Sequence, residues 1–352
     1  MISNRKPTGS GKNRKLGKDE EGVVRYYVCP LSTTAVEIRK LSSWKELAPD
    51  AFKAELVAAA AAFPLLDDAH QEDQRHVTVF VHGYNNDWDG AASRYKSITD
   101  QLFIDNPNQA GLGECILFTW PSDGSVGGYL PDRQDARRSA DDLTNVLSAL
   151  YDWLVSKQGV TGAKACRAKT SIIAHSMGAY VVEQAMYDVW NRKNRPLLVS
   201  LINQMLLVAA DVDNDLFSSG EMIGNTPGEG MANLAYRITA LYTGLDSVLG
   251  TSAGLKHFGK RRLGRSGLDS SQKLPDNVWD IDLTSKFEPG VDYGSHHSAA
   301  LDSPACMALI RELLRGIDRR ILVARGVAPS NESIPVVPLA SQGVAPVPGG
   351  AL

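Results

Sequence analysis

From His76 onward the sequence alternates short, unbroken apolar runs with amphipathic stretches, and this alternation restricts the folds open to the chain more than any other feature. The apolar runs occupy 77–81, 116–119, 171–174, 205–209 and 238–242. Continuous runs suit strands covered on both faces, as in a mainly parallel sheet. Between them Tyr95, Ile98 and Leu102 recur at the three-to-four-residue spacing that paints one face of a helix. Leu143, Val146, Leu147, Leu150, Trp153 and Leu154 repeat the pattern, as do Val182, Ala185, Met186 and Val189. A last helix is expected from Ser303 as N-cap, with Pro304 at its first position, through Met307, Ile310, Leu314 and Ile317. Strands and helices in alternation predict an α/β fold, with a mainly parallel central sheet and helices on both faces.

The 352 residues are ample for a large buried core, and 43% hydrophobic with 22% charged residues is a globular composition. A net charge of −3 supplies no basic field for nucleic acid or an anionic membrane. The longest apolar stretch, 56–66, contains Pro64 and falls far short of the roughly 20 residues a membrane span needs. The N-terminus lacks an apolar secretory segment, and Cys29, Cys115, Cys166 and Cys306 form no close pair. The expectation is a cytoplasmic protein with neither a nucleic-acid partner nor a membrane span. Residues 1–22, dense in Gly, Lys and Arg, are expected to form a disordered basic tail. A strand at 23–28 and a helix-rich segment at 44–63 make 23–75 an N-terminal extension, 76–325 is the main domain, and Pro/Gly-rich 326–352 is a second disordered tail.

The sharpest local signal is Ala174-His175-Ser176-Met177-Gly178, between an apolar run and an amphipathic helix. A serine on a tight strand-to-helix turn has its hydroxyl held out at the sheet's C-terminal edge, and the turn needs small residues two before and two after it. Gly178 meets that need. Ala174, one methyl larger than the usual glycine, nearly does. The Met177 amide then lies at a helix N-terminus, where it can donate to a developing oxyanion. Upstream, the run 77–81 ends in His82-Gly83-Tyr84-Asn85-Asn86, a turn expected to supply a second amide, that of Tyr84. His82, Gly83, Asn85, His175 and Trp120 are expected around the substrate pocket. For His82 a structural bond to the loop is preferred over proton transfer, Asn85 also fits a plain turn residue, and Trp120 also fits the core.

A serine hydroxyl needs an imidazole base, oriented in turn by a carboxylate. His257, crowded by Lys and Arg between 256 and 265, is a poor candidate, which leaves His296 and His297 in the loop before the last helix. The acid is Asp246, after the run 238–242, or Asp211 or Asp213, after the run 205–209. Asp246 is preferred because on sheets of this kind the next-to-last strand presents the acid. A histidine base predicts activity lost in acid.

Val-Phe-Val-His-Gly-Tyr-Asn-Asn (79–86), Phe-Thr-Trp-Pro-Ser (118–122), Ile-Ala-His-Ser-Met-Gly (173–178), Ala-Ala-Asp-Val-Asp (209–213) and His297-Ser298 ahead of Pro304 stand in order. Together they resemble a mostly bacterial branch of the α/β-hydrolase superfamily, largely of unassigned function, over about 76–322. The resemblance implies the α/β-hydrolase fold, Ser176 as nucleophile, His297 and not His296 as base, and hydrolysis of an ester or related acyl group. In that branch an aromatic residue usually follows His-Ser, whereas this chain has Ala299. The expected activity is that of a carboxylesterase on a small-molecule ester. A thioesterase, amidase or lipase would use the same residues, and a non-catalytic binding module of the same fold is the alternative of a different class.

No cofactor is expected. Asp211-Val-Asp213-Asn-Asp215 opens like a calcium loop, but Leu216 and Met222 stand where glycine and glutamate are required. The spacing from Gly254 to Lys260 matches a phosphate loop, but Arg261 replaces the Ser or Thr; 8–12 has no strand leading into it. The segment 216–231, rich in Gly, is a candidate partial lid.

Overall fold

The computed structural model describes residues 1–329, apart from 65, 67, 108, 123–127, 157–167, 193–199, 219–226 and 272. The expected C-terminal tail beyond 329 and the centre of the candidate lid lie outside the described residues. The strands are β1 (Ile2–Thr8), β2 (Lys15–Val28), β3 (Lys45–Leu47), β4 (His76–Val81), β5 (Gly113–Thr119), β6 (Lys169–His175), β7 (Ile202–Val208), β8 (Ala235–Tyr242) and β9 (Val278–Asp282). The helices are α1 (Pro49–Ala61), α2 (Trp88–Leu102), α3 (Tyr129–Ser156), α4 (Gly178–Arg192), α5 (Pro227–Leu234), α6 (Ser247–Thr251), α7 (Leu263–Ser266), α8 (Ala299–Asp302), α9 (Pro304–Leu314) and α10 (Arg319–Ala324).

Among the described residues all nine strands join one sheet in the order β3-β2-β1-β5-β4-β6-β7-β8-β9. From β1 to β9 every neighbouring pair is parallel, and β2 alone runs against its neighbours. Residues of β4 alternate between two apolar layers. Val77, Val79 and Val81 join the layer that holds α1, α3, α4 and α5, while Phe80 joins the one that holds α2, α9 and α10. Ile172 and Ile173 of β6, and Leu206 and Leu207 of β7, divide in the same way. Helices on both faces explain why these strands read as unbroken apolar runs. The α/β-hydrolase fold class expected from the sequence is therefore the fold observed. Among the described residues no helix is long and apolar enough to cross a membrane.

Two expectations need correction. Residues 1–22 are not a loose tail: β1 and β2 form an antiparallel hairpin, and Ile2 and Ser3 of β1 pair in parallel with Phe118 and Thr119 of β5. The sheet thus begins well before 76. Lys6, Arg14, Lys15 and Lys18 stay exposed, but Arg5 is fully buried and spends its donors on oxygens inside the fold. A strand held by buried polar bonds has no apolar signature. The helix expected last, α9, does start as expected, with the Ser303 hydroxyl accepting from the Cys306 amide, but it stops at Leu314 and α10 follows it. Arg315 and Gly316 turn the chain there, and Ile317 closes back onto the Glu312 carbonyl at 3.2 Å.

Candidate active site

Strand β6 and helix α4 meet in a turn so tight that Ser176 adopts φ +55°, a left-handed torsion that costs a non-glycine residue about 1–3 kcal/mol. The surrounding backbone enforces it. The Ser176 amide donates to the Val208 carbonyl at 3.0 Å, and the Ser176 carbonyl accepts from Asp211 at 3.1 Å. Space is short on both sides of the turn. A Cβ on Gly178 would lie 2.4 Å from the Val81 carbonyl oxygen, and one on Gly83 would lie 2.5 Å from Ser176 Cβ. Gly83 therefore lets the loop after β4 lie directly against Ser176, which brings Tyr84 alongside. On the other side, Met177 immediately precedes α4, at the helix end where the first amides have no partner within the helix.

The Ser176 hydroxyl lies 2.7 Å from His297 Nε2, and His297 Nδ1 lies 2.7 Å from Asp246 Oδ2. Asp246 is fully buried, and its second oxygen accepts from the Leu249 amide at 2.9 Å as N-cap of α6. One carboxylate thus caps the start of a helix and faces the imidazole. A backbone bond from the Ser247 amide to the Ser295 carbonyl (3.1 Å) ties the loop after β8 to the loop bearing His297.

The competing candidates lie elsewhere. His296, at φ +60°, packs against Phe287 and Tyr293, with ring centroids 5.5 and 6.0 Å away. Asp211 accepts from Arg262 Nε at 2.8 Å and from the Tyr129 hydroxyl at 2.7 Å. Burial would raise its carboxyl, but Arg262 and Tyr129 hold it below the usual carboxylate range. Asp213 is bound by Arg262 and by Lys260, the latter at 2.9 Å. His257, its imidazole pushed down by burial and by Arg262, meets the Tyr129 hydroxyl at 2.5 Å.

Several residues expected to line the pocket instead brace it. His82 is 1% exposed and Trp120 0%, so neither forms its surface. Their rings stack 5.3 Å apart, and Trp120 Nε1 donates to the His82 carbonyl at 2.9 Å. Burial, with Arg5 nearby, pushes the His82 imidazole down to about 3. It is neutral: Nδ1 donates to the Gly83 carbonyl (2.9 Å), which leaves Nε2 to accept from the Thr119 hydroxyl (3.1 Å). His175 is held well below its ordinary value by burial and by His297 beside it, and its Nε2 donates to the His297 carbonyl at 3.1 Å. Asn85 is exposed at φ +59°, the torsion of a turn residue. Asn86, not singled out as a site residue, donates its side-chain amide to the Gly83 and Tyr84 carbonyls at 3.1 and 3.0 Å.

Arg5 escapes sequence reasoning altogether. Its Nε donates to Thr119 Oγ1 at 2.9 Å, and its terminal nitrogens donate to the carbonyls of Asn86 (2.7 Å), Gly17 (3.1 Å) and Ser122 (3.4 Å). Through Thr119 and Asn86 it grips both His82 and the end of the loop that carries Tyr84. Only its place in the folded hairpin reveals this.

A family match agrees with this architecture. Residues 58–312 match the family described as alpha/beta hydrolase of unknown function (DUF900). An uncharacterized protein, alr1448, of Nostoc sp. is 29% identical over 145 residues, which is 36% of this chain and 35% of that protein. The match thus spans about a third of that curated relative's length. Among solved structures, a provisionally named hydrolase from Agrobacterium vitis S4 aligns with 89% of this chain and 97% of its own, at 13% identity and a TM-score of 0.36. The Pyrobaculum calidifontis esterase aligns with 82% of this chain and 94% of its own, at 10% identity and a TM-score of 0.31. With the family match covering most of the chain, this protein belongs to the alpha/beta hydrolases of unknown function, DUF900.

Proposed function

We propose that this protein is a serine hydrolase that cleaves carboxylic esters through an acyl-enzyme intermediate. The observation that carries this reading is the pair of 2.7 Å contacts running from Asp246 through His297 to the hydroxyl of Ser176. Ser176 attacks the acyl carbon as His297 Nε2 takes its proton. Asp246 keeps the other ring nitrogen protonated and stabilises the imidazolium that forms. The amides of Met177 and Tyr84 hold the oxyanion, each such donor being worth roughly 10²–10³ in rate. His297 returns its proton to the departing alcohol. Water, activated by the same imidazole, then releases the acid.

Steady-state hydrolysis of a panel of p-nitrophenyl esters, thioesters and amides tests both the residues and the bond cleaved. Ser176→Ala and His297→Ala should abolish ester cleavage without changing the circular dichroism spectrum. Asp246→Asn should lower kcat by about 10²–10⁴-fold, while Asp211→Asn acts mainly on stability. Loss of activity in His296→Ala with its retention in His297→Ala would overturn the assignment. Faster turnover of thioesters or amides than of matched esters would move the substrate class.

A further inference from the structure

We infer that Lys256 recognises an anion at the far end of the acyl group, so that the preferred substrates are esters whose acyl chain ends in a carboxylate. The inference rests on the hydrolase reading above and adds the chemistry of its substrate. The wall beside Ser176 on the side of the loop after β4 is aromatic. Tyr84 follows Gly83, which lies against the nucleophile, and its ring meets that of Tyr129 edge-on at 5.5 Å. Tyr129 is anchored through its hydroxyl to Asp211, whose amide donates to the Ser176 carbonyl. This wall is thereby fixed relative to the reacting serine.

The ammonium of Lys256 lies over that wall, 3.8 Å from the centre of the Tyr129 ring and 5.4 Å from that of Tyr84. Two nearby cations are already matched: Lys260 pairs with Asp213 and Asp215, and Arg262 with Asp211 and Asp213. Among the described residues no carboxylate lies within 4.0 Å of Lys256. Asp211 still attracts it from further away, while partial burial has stripped away some of its water. An ammonium carries three donors, and an incoming carboxylate would give them a charged acceptor. In this proposal the alcohol, protonated by His297, departs on the imidazole's side, and the acyl chain runs the other way, past Tyr84 toward Lys256.

The test compares p-nitrophenyl hydrogen adipate with p-nitrophenyl hexanoate, which share acyl length and leaving group. For the full chain, kcat/KM should favour the adipate ester by about tenfold or more, as expected for a charged hydrogen-bonded pair. Lys256→Met should collapse that ratio toward one, Lys256→Glu should push it below one, and Lys256→Arg should keep most of it. Free adipate should also inhibit the unmodified protein competitively, and more strongly than free hexanoate, a result independent of how the variants fold. A ratio at or below one in the unmodified protein, or a ratio that neither Lys256→Met nor Lys256→Glu changes, overturns the inference while leaving the hydrolase reading standing. Hydrolysis of neither ester, with no phosphonate label on Ser176, overturns both.

Discussion

At the residue scale, the site depends on a left-handed serine that its neighbours leave no room to relax. The virtual Cβ of Gly83 lies 2.5 Å from Ser176 Cβ and 3.0 Å from the His175 carbonyl oxygen. Gly83→Ala must therefore push the loop bearing Tyr84 and the elbow apart. A displacement near 1 Å is enough to cost about 10²-fold in rate, so the variant should stay folded by circular dichroism and lose kcat on that order. Unchanged kcat would show that the loop does not take part. Much of this local geometry was legible in the sequence, because small residues flanking a serine between strand and helix have a steric reason to be there. The choice of carboxylate was not. Asp211 and Asp246 both follow strand ends, and what separates them is Arg262, distant in sequence, which binds Asp211 while Asp246 faces His297. His82, His175 and Trp120 stand close to the serine in the motifs but are spent on holding loops, a distinction that depends on burial.

At the element scale, the hairpin of β1 and β2 changes the meaning of the N-terminal region. The five apolar runs from β4 to β8 were readable because both faces of each strand bury side chains. β1 was not, since Ser3, Asn4 and Arg5 are buried through hydrogen bonds: Asn4 Nδ2 reaches Ser139 and Asp142 at 2.9 Å each, and Arg5 reaches Thr119 and Asn86. β9, with acids at Asp280 and Asp282, hid for a related reason. Arg5 ties the hairpin to the loop after β4 and acts as a positioning residue. Arg5→Lys keeps the charge but cannot span Thr119, Gly17 and Asn86 together. It should lower kcat by about tenfold or more with a smaller change in KM. A loss of melting temperature with kcat intact would restrict Arg5 to a structural role.

At the scale of the whole molecule, two apolar layers enclose a sheet whose C-terminal edge gathers the site from the loops after β4, β6 and β8 and from the loop before α8. A buried carboxyl on α4, that of Glu183, makes the stability of this assembly depend on pH. Burial raises Glu183 to about 7, with Arg133 opposing the shift. The folded chain therefore binds this proton more tightly than the unfolded chain does. The contribution of Glu183 to stability is complete below its ordinary value of 4.5 and is lost as pH rises through about 7. Glu183→Gln should match the unmodified protein near pH 4.5 and exceed it above pH 7 by on the order of 3 kcal/mol in urea unfolding. Equal stability at both pH values would contradict the buried, raised carboxyl.

Ester hydrolysis by this chain requires that Ser176 be a nucleophile activated by His297. A fluorophosphonate forms a stable bond to such a serine, and peptide mapping of the labelled chain by mass spectrometry reads out where it lands. The prediction is one adduct, on Ser176, whose formation is slowed at least about 10²-fold in folded His297→Ala. An adduct on another residue, or a folded chain left unlabelled at Ser176, would contradict it.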